Sequence, residues 1–97
     1  MAKSHERWIS ELCILSILSS RDAYGYEITK DSNIMMSGSA VYPILRRLED
    51  QRLLTAYTQL NNSRMRKFYH ITEEGLKSLE ERKNDRTMFR DNINALP

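Results

Sequence analysis

The residues from Ser37 to Thr72 constrain this chain most, because the hydrophobic period changes within them from helical to alternating and back. Val41, Ile44, Leu45 and Leu48 recur at three- and four-residue steps, so the spacing predicts a helix beginning near Ser37 or Ser39 and ending near Gln51. If Ser39 caps it, Pro43 falls in or just after the first turn, where a missing backbone N–H costs least. Tyr42, Arg46 and Arg47 are left for the exposed side. Leu54 to Leu60 alternates weakly and contains Thr55, Tyr57 and Thr58, which suits a strand. Asn61, Asn62 and Ser63 are turn residues. Arg66 to Ile71 reads as the return strand, with Tyr69 and Ile71 on one face and Phe68 and His70 on the other. Thr72 is placed to cap a following helix, with Gly75 at its third position.

Upstream, a helix is expected from about Ser4 to Ser19. Trp8, Ile9, Leu12, Leu15 and Leu18 are helically spaced, and Ile14 and Ile17 widen the stripe until the second half is apolar nearly all round. In so small a domain, that breadth predicts cover from a partner chain. A second helix is expected over Ala23 to Asp31, with Asp22 as its N-cap, Tyr24 and Ile28 one turn apart, and Gly25 allowing a close helix approach. Ser32 to Met36 is a connector whose Ile34 and Met36 point to the core. Downstream, Leu76, Leu79, Arg86, Phe89, Ile93 and Leu96 recur at mostly three- and four-residue steps, interrupted by charge. With little core left to meet, this stripe is expected to form a dimer seam.

Charge placement matters more than its sum, since the formal net charge of the 97 residues is only +2. Asn61 to His70 carries Arg64, Arg66 and Lys67 and no acid, whereas the residues from Glu73 onward are nearly balanced. No residue set for chemistry accompanies this pattern. Cys13 is the one cysteine, which excludes an intrachain disulfide and a cysteine zinc cluster, and its apolar surroundings predict a buried thiol. His5 and His70 lack partners at ligand spacing, and no titratable pair is placed for acid–base work. An enzyme, a metal site and a cofactor are therefore not expected. The apolar run Leu12 to Leu18 is too short to span a bilayer and is preceded by charged residues, so the cytoplasm is the expected location.

Three helices followed by a two-stranded hairpin form the order of a winged helix-turn-helix: α+β, mainly helical, with an additional C-terminal dimerisation helix. The expected organisation is residues 1–72 for the winged unit and 73–97 for the last helix, within one structural domain. In that geometry the third helix enters the major groove, and the hairpin, or wing, lies along phosphates or a minor groove. Ser37, Ser39, Ala40, Tyr42 and Arg46 on the helix, and Asn61, Asn62, Arg64, Arg66 and Lys67 on the wing, are the expected DNA-binding residues. Two alternatives stand beside this. The basic residues of the hairpin also serve to keep an exposed edge soluble, and a winged helix also serves as a protein-interaction module without specific DNA binding.

The motifs Y-G-Y-E-I (Tyr24 to Ile28), S-x-x-x-V-Y-P-x-L-x-R-L-E (Ser37 to Glu49) and R-x-R-K-F-Y-x-I-T-x-x-G (Arg64 to Gly75) together resemble the PadR family of bacterial transcriptional regulators. The resemblance covers about Leu12 to Leu79 and is to the short subfamily with a single C-terminal helix. It implies a homodimeric repressor on a pseudo-palindromic double-stranded operator, with the first and last helices forming the dimer. It also implies a small aromatic or drug-like effector felt near that interface. Ile9, Leu79, Phe89 and Ile93 are the expected dimerisation residues, and Trp8, Leu12 and Phe89 the expected ligand contacts. Asn61, Asn62 and Ser63 stand where family wings often carry glycine, so the resemblance does not fix the shape of the wing tip.

Overall fold

The computed structural model describes the backbone of residues 2–31 and 38–94 and the side chains of residues 8–30 and 40–84. Ser37, Ile34, Met36 and Leu96 lie outside the described residues, as do the side chains of Ser39, Phe89 and Ile93. The elements run α1 (Ala2–Ser20), β1 (Ala23–Tyr24), α2 (Gly25–Asp31), α3 (Gly38–Asp50), β2 (Leu54–Asn61), β3 (Arg64–Ile71) and α4 (Glu73–Asn94). The three strands form one antiparallel sheet in the order β1-β3-β2.

The core follows the helical stripes. Ile14, Leu15 and Leu18 from α1, Ile28 from α2, and Val41, Ile44, Leu45 and Leu48 from α3 are buried against Leu54, Tyr69 and Ile71 of the sheet. Burying an aliphatic side chain of this size contributes about 2 kcal/mol from water exclusion. Leu12 and Leu79 join the same cluster, at 8% and 4% exposure. Leu79 thus packs within its own chain, where α4 meets α1, and Leu12 lies in the same intrachain core. Trp8 and Ile9 are half-buried, and Cys13 is half-buried rather than buried.

Ala23 and Tyr24 are a strand and not the first turn of a helix. They pair with Tyr69 and Phe68, giving the wing a third strand. Asp22 consequently does not cap α2. Glu27 does so instead, its carboxylate accepting from the Tyr24 N–H at 3.3 Å, as the third helical residue does in a capping box. Pro43 lies well inside α3, the sixth residue from its start, so the Ser39 carbonyl loses its usual donor. Arg47 is half-buried instead of free on the exposed side, because it pairs with Glu11.

Backbone geometry accounts for the turns. α3 ends with Arg52 at φ 64°, Leu53 N–H bonding the Leu48 carbonyl at 3.0 Å and Arg52 N–H bonding the Glu49 carbonyl at 2.9 Å. That is a Schellman close with arginine in the place usually taken by glycine. The wing turns on Asn62 and Ser63, both at positive φ (51° and 66°), as a type I′ hairpin requires. The left-handed backbone of the turn is therefore supplied without glycine, and Asn61 pairs with Arg64 as the last rung of the ladder. Thr72 caps α4 as expected: its hydroxyl accepts from Gly75 N–H at 3.0 Å. No helix among the described residues is long and apolar enough to cross a membrane.

Candidate nucleic-acid interface

With Val41, Ile44, Leu45 and Leu48 turned into the core, α3 exposes Ala40, Tyr42, Pro43 and Arg46. Tyr42 reaches toward α2 and lies over Gly25, where an added Cβ would sit 2.5 Å from the tyrosine hydroxyl and 2.6 Å from its ring. Only glycine leaves room for that approach. Tyr24 and Tyr26, on either side of Gly25, stack at 6.4 Å between centroids.

The wing supplies the opposite wall. Arg66 places its guanidinium 4.7 Å over the Tyr24 ring, a cation–π contact, and its Nε is buried without a hydrogen-bond partner. Lys67 pairs with Glu49 at 3.6 Å and lies 5.4 Å from the Tyr69 ring. Burial pushes the Tyr69 hydroxyl's pKa above its ordinary value. Tyr24, Tyr26, Tyr42, Arg46, Arg66 and Lys67, with Glu49 and Met65, line a cleft of about 350 Å³ between α2, α3 and β3. Asn62 and Arg64 project from the wing tip, Asn61 is half-buried, and Leu60 and Met65 sit opposite one another on its exposed surface.

The outer face of the sheet fixes the wing to the body. Tyr57 stacks on Phe68 at 5.6 Å and Tyr24 meets Phe68 edge-on at 5.3 Å, so an aromatic row crosses all three strands. Below it, Tyr57 donates to Asp22 at 2.7 Å and His70 Nδ1 meets the other Asp22 oxygen at 2.8 Å. The Tyr57 hydrogen bond, with that of His70, holds the Asp22 carboxyl below its ordinary value of 3.8. His70, solitary in the sequence, is thus a wing anchor.

Of the residues expected at DNA, the structure brings Tyr42, Arg46, Arg66 and Lys67 to one cleft and sets Asn62 and Arg64 beyond it at the tip. Sequence reasoning missed Tyr24, Tyr26 and Met65 there. The available signal was two tyrosines flanking a glycine, a spacing that only the tertiary approach of Tyr42 explains. Trp8 and Ile9 lie on α1, and Phe89 and Ile93 belong to α4 with undescribed side chains. Among the described residues no group of three or more His, Cys, Asp or Glu is placed to hold a metal ion.

Three helices, a short leading strand and a wing beside an exposed third helix define a winged helix-turn-helix of the DNA-binding class. Residues 14–81 match the family model of the transcriptional regulator PadR-like family, and the chain belongs to that family, whose members are transcription regulators and not enzymes. The chain is 33% identical over 90 residues to the transcriptional regulator YqjI of Escherichia coli K12; the match covers 87% of this chain and 42% of YqjI, so the chain spans less than half of that relative. The crystal structure of smu.1704 from Streptococcus mutans UA159 superposes with a TM-score of 0.85 at 34% identity, covering 91% of this chain and 85% of that one. Bacillus subtilis PadR, solved in complex with operator DNA, superposes with a TM-score of 0.67 at 25% identity over 75% of this chain and 45% of that one.

Proposed function

We propose that this protein is a sequence-specific transcriptional repressor that binds a pseudo-palindromic operator as a homodimer. The observation that carries the reading is the cationic cleft formed by the exposed face of α3 and the wing, where Arg46 and Arg66 lie with Tyr42. Bacillus subtilis PadR binds operator DNA on the same fold, which supports this reading. In it, Ser37 and the N-terminal part of α3, with Ser39, Ala40 and Tyr42, enter the major groove. Asn61, Asn62, Arg64, Arg66 and Lys67 hold the flanking backbone. Phosphate contacts position the protein and base-edge contacts choose the sequence.

Dimerisation rests on the part of α4 beyond Leu79 together with Ile9 on α1, since Leu79 itself is consumed by the intrachain core. Phe89 and Ile93 continue the stripe of α4 there. An aromatic effector near Trp8 and Phe89 would relieve repression by binding the DNA-incompetent arrangement more tightly, because equal affinity for both arrangements shifts nothing.

Selection from a random duplex pool tests the specific claim. The expected result is enrichment of two inverted half-sites whose centres are about one helical turn, or a multiple, apart. Sedimentation at micromolar protein should show a dimer, and replacing Phe89 and Ile93 by Asp should yield monomer and abolish the enrichment together. A pool that stays random, or an enriched single half-site bound by monomer, contradicts the proposal.

A further inference from the structure

We propose that the cleft between α2, α3 and β3 is a clamp for one phosphodiester of the DNA backbone, in which the hydroxyls of Tyr26 and Tyr42 and the guanidinium of Arg66 hold the anionic oxygens. The inference rests on the DNA-binding reading and adds to it a contact element, α2, that neither the third helix nor the wing implies. Tyr26 and Tyr42 are 62% and 53% exposed, large rings that the core does not use. Neither hydroxyl has a hydrogen-bond partner among the described residues, and both border the same cleft as three cations.

Arg66 is the second observation. Its guanidinium lies on the Tyr24 ring, its buried Nε has no hydrogen-bond partner, and the side chain lines the cleft, so it brings donor capacity that the described residues do not use. The charge in the cleft favours an anion. Glu49 is paired to Lys67, which leaves Arg46 and Arg66 without a carboxylate partner among the described residues. The chemistry favours a phosphate over a base edge. Hydroxyl donors and a cation lining one cleft suit a tetrahedral anion, whereas base readout needs a planar fork lying in the groove. At about 350 Å³ the cleft also admits part of the flanking deoxyriboses. Gly25 sets its shape, because a side chain there would drive the Tyr42 ring out of the cleft.

The test is fluorescence anisotropy with a labelled mixed-sequence duplex three helical turns long. Tyr26→Phe and Tyr42→Phe keep the rings and remove only the hydroxyls, so the fold is retained. Each is expected to weaken binding about tenfold. The salt dependence should stay parallel to the parent's, because a neutral donor releases no counterion, whereas Arg66→Ala should flatten the slope by about one unit for each bound protomer. Gly25→Ala should weaken binding as Tyr42→Phe does. A duplex series carrying a single neutral methylphosphonate at successive positions should then contain one phosphate per bound protomer whose neutralisation weakens the parent more than the Tyr26→Phe/Tyr42→Phe double variant, in which only Arg66 still holds it. A double variant that binds as tightly as the parent overturns the clamp while leaving DNA binding intact. A parent that binds no duplex overturns the DNA-binding reading and the clamp with it.

Discussion

Replacing Glu11 with Ala is expected to lower the unfolding free energy by about 3 kcal/mol, although Glu11 is not one of the residues proposed to meet DNA. Its side chain belongs to a residue only 7% exposed and bridges three helices. Arg82 of α4 donates to Oε1 at 2.6 Å and Arg47 of α3 donates to Oε2 at 3.1 Å. Arg82 is further fixed by donating from Nε to the Ser78 hydroxyl at 2.9 Å. A carboxylate this buried is stable only because both oxygens are met by cations, and its removal leaves the Arg82 guanidinium, 18% exposed, without a counter-charge. Glu11→Gln keeps the shape and loses the charge, so its stability should fall between the two. Urea titration followed by Trp8 fluorescence provides the measurement. An alanine variant that unfolds at the parent's midpoint would show that the three helices are held by apolar packing alone. The network also ties the exposed helix to α4, so DNA affinity should fall with stability in this variant.

Gly75→Ala is expected to have a similar effect, of about 3 kcal/mol, with a sign opposite to the usual one. In an exposed helix, exchanging glycine for alanine stabilises by about 1 kcal/mol. Here the new Cβ would overlap the Leu53 carbonyl oxygen and lie 2.6 Å from Ile71 Cγ1. The Leu53 carbonyl cannot yield cheaply, because it accepts from Thr72 N–H at 3.0 Å and from the Thr72 hydroxyl at 3.0 Å. The collision therefore reaches the end of α3, the cap of α4 and the base of the wing together. A thermal melt decides the matter. A raised midpoint would mean that the turn after α3 does not press on α4 as described.

The parts of the fold that are legible in the sequence are those set by local period and local hydrogen bonding. The stripe Val41, Ile44, Leu45 and Leu48 marks the buried face of α3, the turn residues mark the wing, and Thr72 marks the start of α4. The features that are not legible depend on residues distant in the chain. β1 is two residues long, too short to show an alternation, and exists only because Ala23 and Tyr24 meet the far strand. Glu11 finds its partners 36 and 71 positions away, which no spacing rule anticipates. The stripe containing Leu79 states that a face is buried without stating against what, and its packing against α1 within the chain is visible only in the fold. The candidate site is half legible for the same reason. Its cations are visible as a run, but Tyr26 becomes part of it only when Gly25 lets α2 and α3 close on one another.

The salt dependence of duplex binding tests the central claim most directly. Arg46, Arg64 and Arg66 give each protomer three cations at the helix and wing without a carboxylate partner among the described residues, whereas the charge of Lys67 is met by Glu49. For a dimer, the logarithm of the association constant should fall with the logarithm of salt concentration at a slope of about −5. The Arg64→Ala/Arg66→Ala variant should bind every sequence more weakly. Its slope should be reduced by about three to four units, roughly 0.9 for each of the four phosphates that the dimer no longer neutralises. A parent whose binding is insensitive to salt, or a double variant that matches it in both affinity and slope, would contradict the account and favour a winged helix that docks protein instead.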